Sequence, residues 1–245
     1  MTQKSNPQDP VFSVAVPAAF DAQAIPIHEV CAGQLAVDSH VLDPLSIKHR
    51  FQSPPVWQPE ITDENRHVIA ANIISKRQAA GKVTRAAVLI PLLLKNDGLS
   101  VLLTQRTDHL HDHAGQISFP GGRMDPGDLD PHDTALRESK EEIGLDRKGV
   151  AVIGQLPQYL TVSGYSVTPV VGLVKPQAEY VLDAFEVADV FEVPLHFLMN
   201  PANHQVRVWE SDQGSRRFYS MPYENRFIWG ATAGMLRNLY HLLKV

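Results

Sequence analysis

Three carboxylates and a guanidinium stand together in Arg137-Glu138-Ser139-Lys140-Glu141-Glu142-Ile143-Gly144-Leu145. At about 100° per residue, Glu142 falls about 40° to one side of Glu138 and Glu141 about 60° to the other, so all three share one narrow helix face. Leu136 and Ile143 fall on the opposite face and predict contact with a core. Arg137 stands four residues before Glu141 and is placed to brace it. Like charges at this spacing oppose a helix by ~0.2–0.5 kcal/mol per pair. Taken alone, such a run is most often a solvated acidic face. The sharper reading puts a cation among the carboxylates, and hard oxygen ligands suit Mg²⁺ or Mn²⁺.

The preceding residues favour the sharper reading. Gly121-Gly122 lets the backbone approach a ligand or metal closely and take φ > 0. Asp130 is placed as an N-cap, Pro131 fits the first helical position, and Gly144 fits the residue just past the end. A Gly-rich turn therefore leads directly into an acidic helix with its end signals in place.

The turn, Asp128 and the helix together resemble the Nudix box, a loop–helix–loop that holds divalent metals against a diphosphate. That box reads Gly, five residues, Glu, seven residues, then Arg-Glu-aliphatic-x-Glu-Glu-x-Gly-aliphatic. Here Asp128 replaces the first Glu, eight residues separate Asp128 from Arg137, and Ser139 replaces the aliphatic residue. The Arg-Glu-x-x-Glu-Glu-x-Gly end is intact. Upstream, Leu102-Leu103-Thr104-Gln105-Arg106-Thr107 and Gly115-Gln116-Ile117-Ser118-Phe119-Pro120-Gly121-Gly122 resemble the signature of the coenzyme A pyrophosphatase branch. That branch also tends to carry the lengthened spacing and the Asp, and commonly has Arg where His111 stands. The resemblance covers roughly 85–243.

The resemblance implies metal-assisted hydrolysis of the diphosphate linkage of coenzyme A or an acyl derivative, giving 3′,5′-ADP and 4′-phosphopantetheine or its acyl form. Glu138, Glu141 and Glu142 would hold Mg²⁺ or Mn²⁺, helped by a backbone carbonyl in the Gly121-Gly122 turn. A water would then attack phosphorus in line. Arg106 and Arg123 would offset phosphate charge. The general base is open among Glu142, Glu141 and Glu186; Glu186 is a candidate because several Nudix enzymes use a loop Glu from outside the box. His113 and Gln116 fall at expected substrate contacts. Tyr159 and Tyr165 lie in a stretch similar to one of that branch and could stack on adenine or simply pack. The alternatives are a Nudix pyrophosphatase for ADP-ribose or NADH, and a Nudix-like binding module without catalysis. Survival of all three helix carboxylates argues against the module.

Composition bounds the rest. The 245 residues are 44% hydrophobic, enough for a sizeable core, and the formal net charge is −5. With no basic block, a nucleic-acid surface is not expected. Cys31 is the only cysteine, so no intrachain disulfide forms. No apolar leader or membrane-length apolar run stands out, and a cytoplasmic enzyme is the simplest inference.

The elements that must position these residues follow from pattern. Residues 1–80 are expected to be an N-terminal extension: a polar tail to about residue 20, a segment that packs on the domain or mediates a homodimer contact, and a helix over 63–80. Residues 81–245 are expected to form the Nudix domain. Thr84 to Leu94 reads as a buried strand, Asn96-Asp97-Gly98 as a turn and Leu99 to Gln105 as the hairpin partner. Ala114 to Phe119 and Val150 to Leu156 read as strands, and His204 to Glu210 with Arg216 to Tyr223 as a hairpin. Leu236, Leu239, Leu242 and Leu243 share one face of a terminal helix. His109, His111 and His113 lie two apart, but no Cys or further His stands at ligand spacing, so a substrate contact outranks zinc. The expected architecture is α/β: a Nudix-like α/β/α sandwich around a mixed sheet.

Overall fold

The structure is a computed structural model and describes residues 20–60, 83–110, 113–161, 163–211 and 214–245. The expected tail, the helix over 63–80 and His111 lie outside these residues.

The described residues begin with β1 (Ile27–Val30) and α1 (Pro44–Gln52). Asp43 starts α1 by accepting the Leu45 N–H at 2.9 Å. Then come β2 (Thr84–Lys95), β3 (Gly98–Arg106), β4 (Ile117–Ser118) and β5 (Gly121–Arg123). The acidic helix α2 (Pro131–Ile143) follows, then β6 (Val150–Gln155), β7 (Tyr159–Leu160), β8 (Tyr165–Val174) and β9 (Val187–Pro194). A short turn of helix, α3 (Leu195–Leu198), leads to β10 (Gln205–Ser211), β11 (Gly214–Tyr223), β12 (Arg226–Trp229) and the terminal helix α4 (Gly230–Leu243).

The main sheet has the order β4-β3-β2-β8-β6, with β5 also on β2, β7 on β8 and β9 on β3. Only β2 and β8 pair in parallel; the other pairs are antiparallel, so the sheet is mixed. Side chains alternate across it. Ala87, Leu89 and Leu102 pack against Ala135 and Ile143 of α2. Ile90, Leu92, Val101 and Leu103 face the other way, toward α4 and a second sheet. That second sheet, β1-β10-β11-β12, is antiparallel throughout. The sequence pattern exposes only its central hairpin; β1 and β12 are four residues each, too short to show a period.

Residues 20–60 pack on the rest of the chain. β1 joins the edge of the second sheet through β10, and the buried Arg207 donates to the carbonyls of Gln23 and Ile25. The expected strand from Ala114 shrinks to Ile117–Ser118, because His113 and Gly115 take left-handed backbone (φ 59° and 67°) and form a turn.

The terminal helix buries a cation. Arg237 is 1% exposed and lies between the Tyr219 and Tyr240 rings, 4.9 Å from each centroid. It donates to Glu60 at 2.8 Å, to Gln34 at 3.1 Å and to His204 Nδ1 at 3.0 Å. His204 must then carry its proton on Nε2, which donates to the Leu198 carbonyl at 2.7 Å. Burial, followed by the Arg237 charge, pushes His204 down to about 4, against the hydrogen bond to Leu198.

The sign of the consequence follows. The unfolded chain, with an ordinary imidazole near 6.5, binds this proton before the folded chain does, so stability falls as pH drops from about 6.5 toward 4. Urea unfolding at pH 7 and pH 5 should differ by roughly 2 kcal/mol from this group. His204→Gln, which keeps both hydrogen bonds without titrating, should flatten that difference.

Candidate active site

The acidic helix is built as its sequence predicts. Asp130 Oδ1 accepts the Asp133 N–H at 2.9 Å, Pro131 opens the helix, and Gly144 closes it at φ 65°. Ile143 is fully buried and Leu136 packs against the same core. Ser139, where the Nudix box has an aliphatic residue, is also buried; its hydroxyl donates to the Ala135 carbonyl at 2.6 Å.

The glycine turn is pressed between β2 and this helix. A Cβ on Gly121 would lie 2.4 Å from the Ala87 carbonyl oxygen, and one on Gly122 would lie 2.5 Å from the Glu138 carboxyl carbon. That closeness lets the Gly121 N–H donate to Glu142 Oε2 at 3.0 Å. Glu142 is 6% exposed, and its other oxygen lies 3.9 Å from an Arg106 guanidinium nitrogen. Burial pushes the Glu142 carboxyl up to about 8, against the Gly121 N–H and Arg106; the charges of Glu138 and Glu186 push the same way as burial. Glu138 is likewise raised, by burial first, with Arg137 opposing.

The three helix carboxylates do not share one environment. Glu142 points into the fold and Glu138 lies against Gly122. Glu141 is 59% exposed and is held by Arg137 at 2.9 Å, as its spacing predicts. The structure therefore places Glu138 between two neighbours: it shares an Arg137 nitrogen with the exposed Glu141, and its charge acts on the buried Glu142. Glu186 stands close enough for its charge to act on both. Among the described residues, no three His, Cys, Asp or Glu side chains form a ready metal-ligand group. Arg137 engages Glu141 and one oxygen of Glu138.

Asp128 has a role that spacing alone did not give. Its two oxygens accept from Arg137 Nε at 2.8 Å and from a terminal nitrogen at 2.9 Å, a bidentate pair. It also accepts the Thr134 hydroxyl at 2.8 Å and the Asp125 N–H at 2.9 Å. The Arg137 hydrogen bonds hold its carboxyl well below the usual range, outweighing burial. Arg137 further donates to the Arg123 carbonyl at 3.1 Å. Asp128 thus fixes Arg137, and Arg137 fixes the helix against the glycine turn.

The proposed substrate contacts divide between two places. Arg106 faces Glu142, and its Nε is buried without a hydrogen-bond partner among the described residues. Its backbone N–H donates to the Gln116 carbonyl at 2.9 Å, and the Gln116 side chain pairs with His113 at 2.9 Å. Arg123 follows Gly122 in β5 and so points to the opposite face from Glu138. There it is exposed and meets the Tyr165 hydroxyl at 3.4 Å. Tyr159 requires a correction: it is 1% exposed and lies under Gly234, where a Cβ would sit 2.5 Å from its hydroxyl. Its ring packs the core and offers no face to a base.

The donor set can be tested for a metal from these facts. Two carboxylates lie side by side in a poorly hydrated place, and only a distant Arg106 and one N–H offset the inner one. A hard divalent ion would supply the missing positive charge, and oxygen donors suit it. The residues fit such an ion.

A mixed sheet, a glycine turn and an Arg-braced carboxylate helix define a phosphate-handling hydrolase fold. The Nudix domain model matches residues 83–212, and the chain belongs to the Nudix family. It is 43% identical over 155 residues to the uncharacterized Nudix hydrolase NudL of Yersinia pestis (strain Pestoides F), covering 63% of this chain and 77% of the relative. The NudL of Yersinia pseudotuberculosis serotype O:1b (strain IP 31758) matches to the same extent. A solved Nudix hydrolase from M. smegmatis, RenU, aligns at 23% identity over 46% of this chain and 71% of its own, with a TM-score of 0.40. The protein is a Nudix hydrolase of pyrophosphate substrates, and members of this family generally use divalent ions such as Mg²⁺ or Mn²⁺. Among the described residues, no helix is long and apolar enough to cross a membrane.

Two outcomes test this geometry. Gly122→Ala meets only the far end of the Glu138 side chain, so thermal unfolding should move little while activity falls at least roughly tenfold. Asp128→Asn removes the charge that holds Arg137 and should lower stability by about 2 kcal/mol, measured by urea unfolding.

Proposed function

We propose that the protein hydrolyses the diphosphate linkage of coenzyme A or an acyl-coenzyme A, releasing 3′,5′-ADP and 4′-phosphopantetheine or its acyl form. The observation that carries the substrate is the pairing of two stretches, Leu102 to Thr107 and Gly115 to Gly122. They resemble the signature of the coenzyme A pyrophosphatase branch. In the fold they are joined: Thr104 lies opposite Ser118, and its hydroxyl is 3.1 Å from the Ser118 carbonyl and from the Ser118 hydroxyl. One stretch carries Arg106 and the other Gly121, and both of these residues meet Glu142.

In this reading Glu138 and Glu142 hold the divalent ion, with the Gly122 backbone beside them. When bound, such an ion neutralises phosphate oxygens and makes a water more acidic. Arg106, which faces Glu142 at 3.9 Å and keeps a buried Nε without a partner among the described residues, binds a phosphate oxygen. Glu186 is the proton acceptor: it lies within electrostatic reach of Glu138 and Glu142 and comes from a different element. Glu141 serves by steadying Arg137 beside Glu138. His113 and Gln116 form the rim beside Arg106, and Arg123 with Tyr165 forms a second polar contact across the sheet.

The test is a product assay with coenzyme A, acetyl-coenzyme A, ADP-ribose and NADH, each with Mg²⁺ and with Mn²⁺. Coenzyme A should yield 3′,5′-ADP by mass detection. Glu142→Gln should fold and lose activity by at least 10²-fold, on the order seen when a charge-stabilising group is removed. Turnover of ADP-ribose or NADH alone would retain the hydrolase and reject the substrate.

A further inference from the structure

With Tyr159 buried, the site needs another aromatic face if a nucleotide base is to be held. One stands beside Glu186. Phe185 is 66% exposed, yet the turn that carries it is firmly tied. The Phe185 carbonyl accepts the Thr107 hydroxyl at 2.7 Å, and its N–H donates to Asp183 Oδ1 at 2.8 Å. The Asp183 N–H in turn donates to the Glu142 carbonyl at 2.9 Å, and the Glu186 carbonyl accepts the Thr107 N–H at 3.0 Å. These bonds fasten the turn to the end of α2 on one side and to the residue after Arg106 on the other. His109, from the loop that follows β3, sets its ring 5.0 Å from Phe185 at 60°.

A phenyl ring left in water forgoes the stabilisation its burial would give. Here it is held in place rather than folded away, next to a Glu and one residue's reach from the strand end carrying Arg106. We propose that Phe185, backed by His109, is the platform on which the base of the nucleoside diphosphate substrate stacks. The inference rests on reading the carboxylate site as a diphosphate hydrolase, and it names the residue that selects substrates bearing a base. Arg106 and the carboxylates take the diphosphate; the ring takes the flat group at its nucleoside end. A stacking face accepts any base, so selection among bases would be modest while selection for a base would be strong.

The experiment compares Phe185→Ala, Phe185→Leu and Phe185→Trp in the full chain. Ala and Leu should raise KM for the nucleotide substrate roughly tenfold, leave kcat within about twofold, and weaken inhibition by AMP and by 3′,5′-ADP to the same degree. Inhibition by inorganic pyrophosphate, which has no base, should not change. Trp should restore KM, and its added emission should be quenched by the two nucleotides and not by pyrophosphate. Unchanged KM and nucleotide inhibition in Phe185→Ala would overturn the platform. So would a parallel loss of pyrophosphate inhibition, which would mean that the turn had merely displaced the carboxylates. The emission titration needs no turnover. If no substrate is hydrolysed, quenching by nucleotides alone still sustains the platform and removes the hydrolase reading, and absent quenching removes the platform.

Discussion

The site depends on one close approach: two glycines let the β5 backbone lie between β2 and the acidic helix with no side chain in the way. At Gly121 the obstacle to any larger residue is backbone, the Ala87 carbonyl and the Val88 Cα, and neither can rotate aside. The approach brings a backbone N–H to within 3.0 Å of a carboxylate that has almost no water. Without it, Glu142 would be a buried charge with only Arg106 at 3.9 Å, an arrangement that neutralises itself by taking up a proton. Even with it, burial keeps the Glu142 carboxyl up at about 8, so the position is one where a cation would take the place of a proton.

Arg137 answers the opposite need. The carboxylates of Asp128, Glu138 and Glu141 would spread apart, and the guanidinium gathers them by its fork geometry: two nitrogens on Asp128, one shared by Glu138 and Glu141, and a further bond to the Arg123 carbonyl. A lysine could bind one of these groups but could not span them. The pairing also explains why Asp can stand where the Nudix box has Glu. The group's task here is to grip Arg137, and Asp128 also closes the turn that precedes it by accepting the Asp125 N–H. The two halves of the site therefore have different electrostatics. The Asp128–Arg137 side is saturated, with its charges paired, while the Glu142–Arg106 side is left wanting, with a buried nitrogen unpartnered among the described residues.

What could be read from the sequence was what local physics decides. The acidic helix carried its cap, its first proline, its closing glycine and its period in adjacent residues, and it begins and ends where those signals stand. The β2–β3 hairpin was equally plain, since a buried apolar run, a turn tripeptide and a second apolar run follow one another. The division of labour within the helix face was hidden. Angles place Glu138, Glu141 and Glu142 together, but burial is conferred by β5 and β3, which arrive from elsewhere in the chain. Tyr159 shows the same limit from the other side. An aromatic residue in a loop-like stretch reads equally as a stacking face or a core ring, and α4, about seventy residues later, decides by closing over it at Gly234. The second sheet was half legible for a simpler reason: its outer strands are too short to carry a pattern.

The arrangement separates what is rigid from what can vary. Glu138, Glu142 and the glycine turn sit on a helix and a strand with an interlocked core behind them, and a shift there would disturb the whole sheet. Glu186 and Phe185 sit on a short turn that reaches the same place from β9, tied by hydrogen bonds to the helix end and to Thr107. His113 and Gln116 sit on another turn, held by left-handed backbone at His113 and Gly115. Phosphate chemistry needs fixed positions, which the helix and strand supply. Selectivity needs residues that can be exchanged without moving those positions, and turns anchored through backbone groups allow that. In this chain Thr107 is the junction, because its N–H and hydroxyl hold the Glu186 turn while its neighbour Arg106 faces Glu142. On the proposed reading, the chemistry and the choice of substrate meet at the end of a single strand, β3.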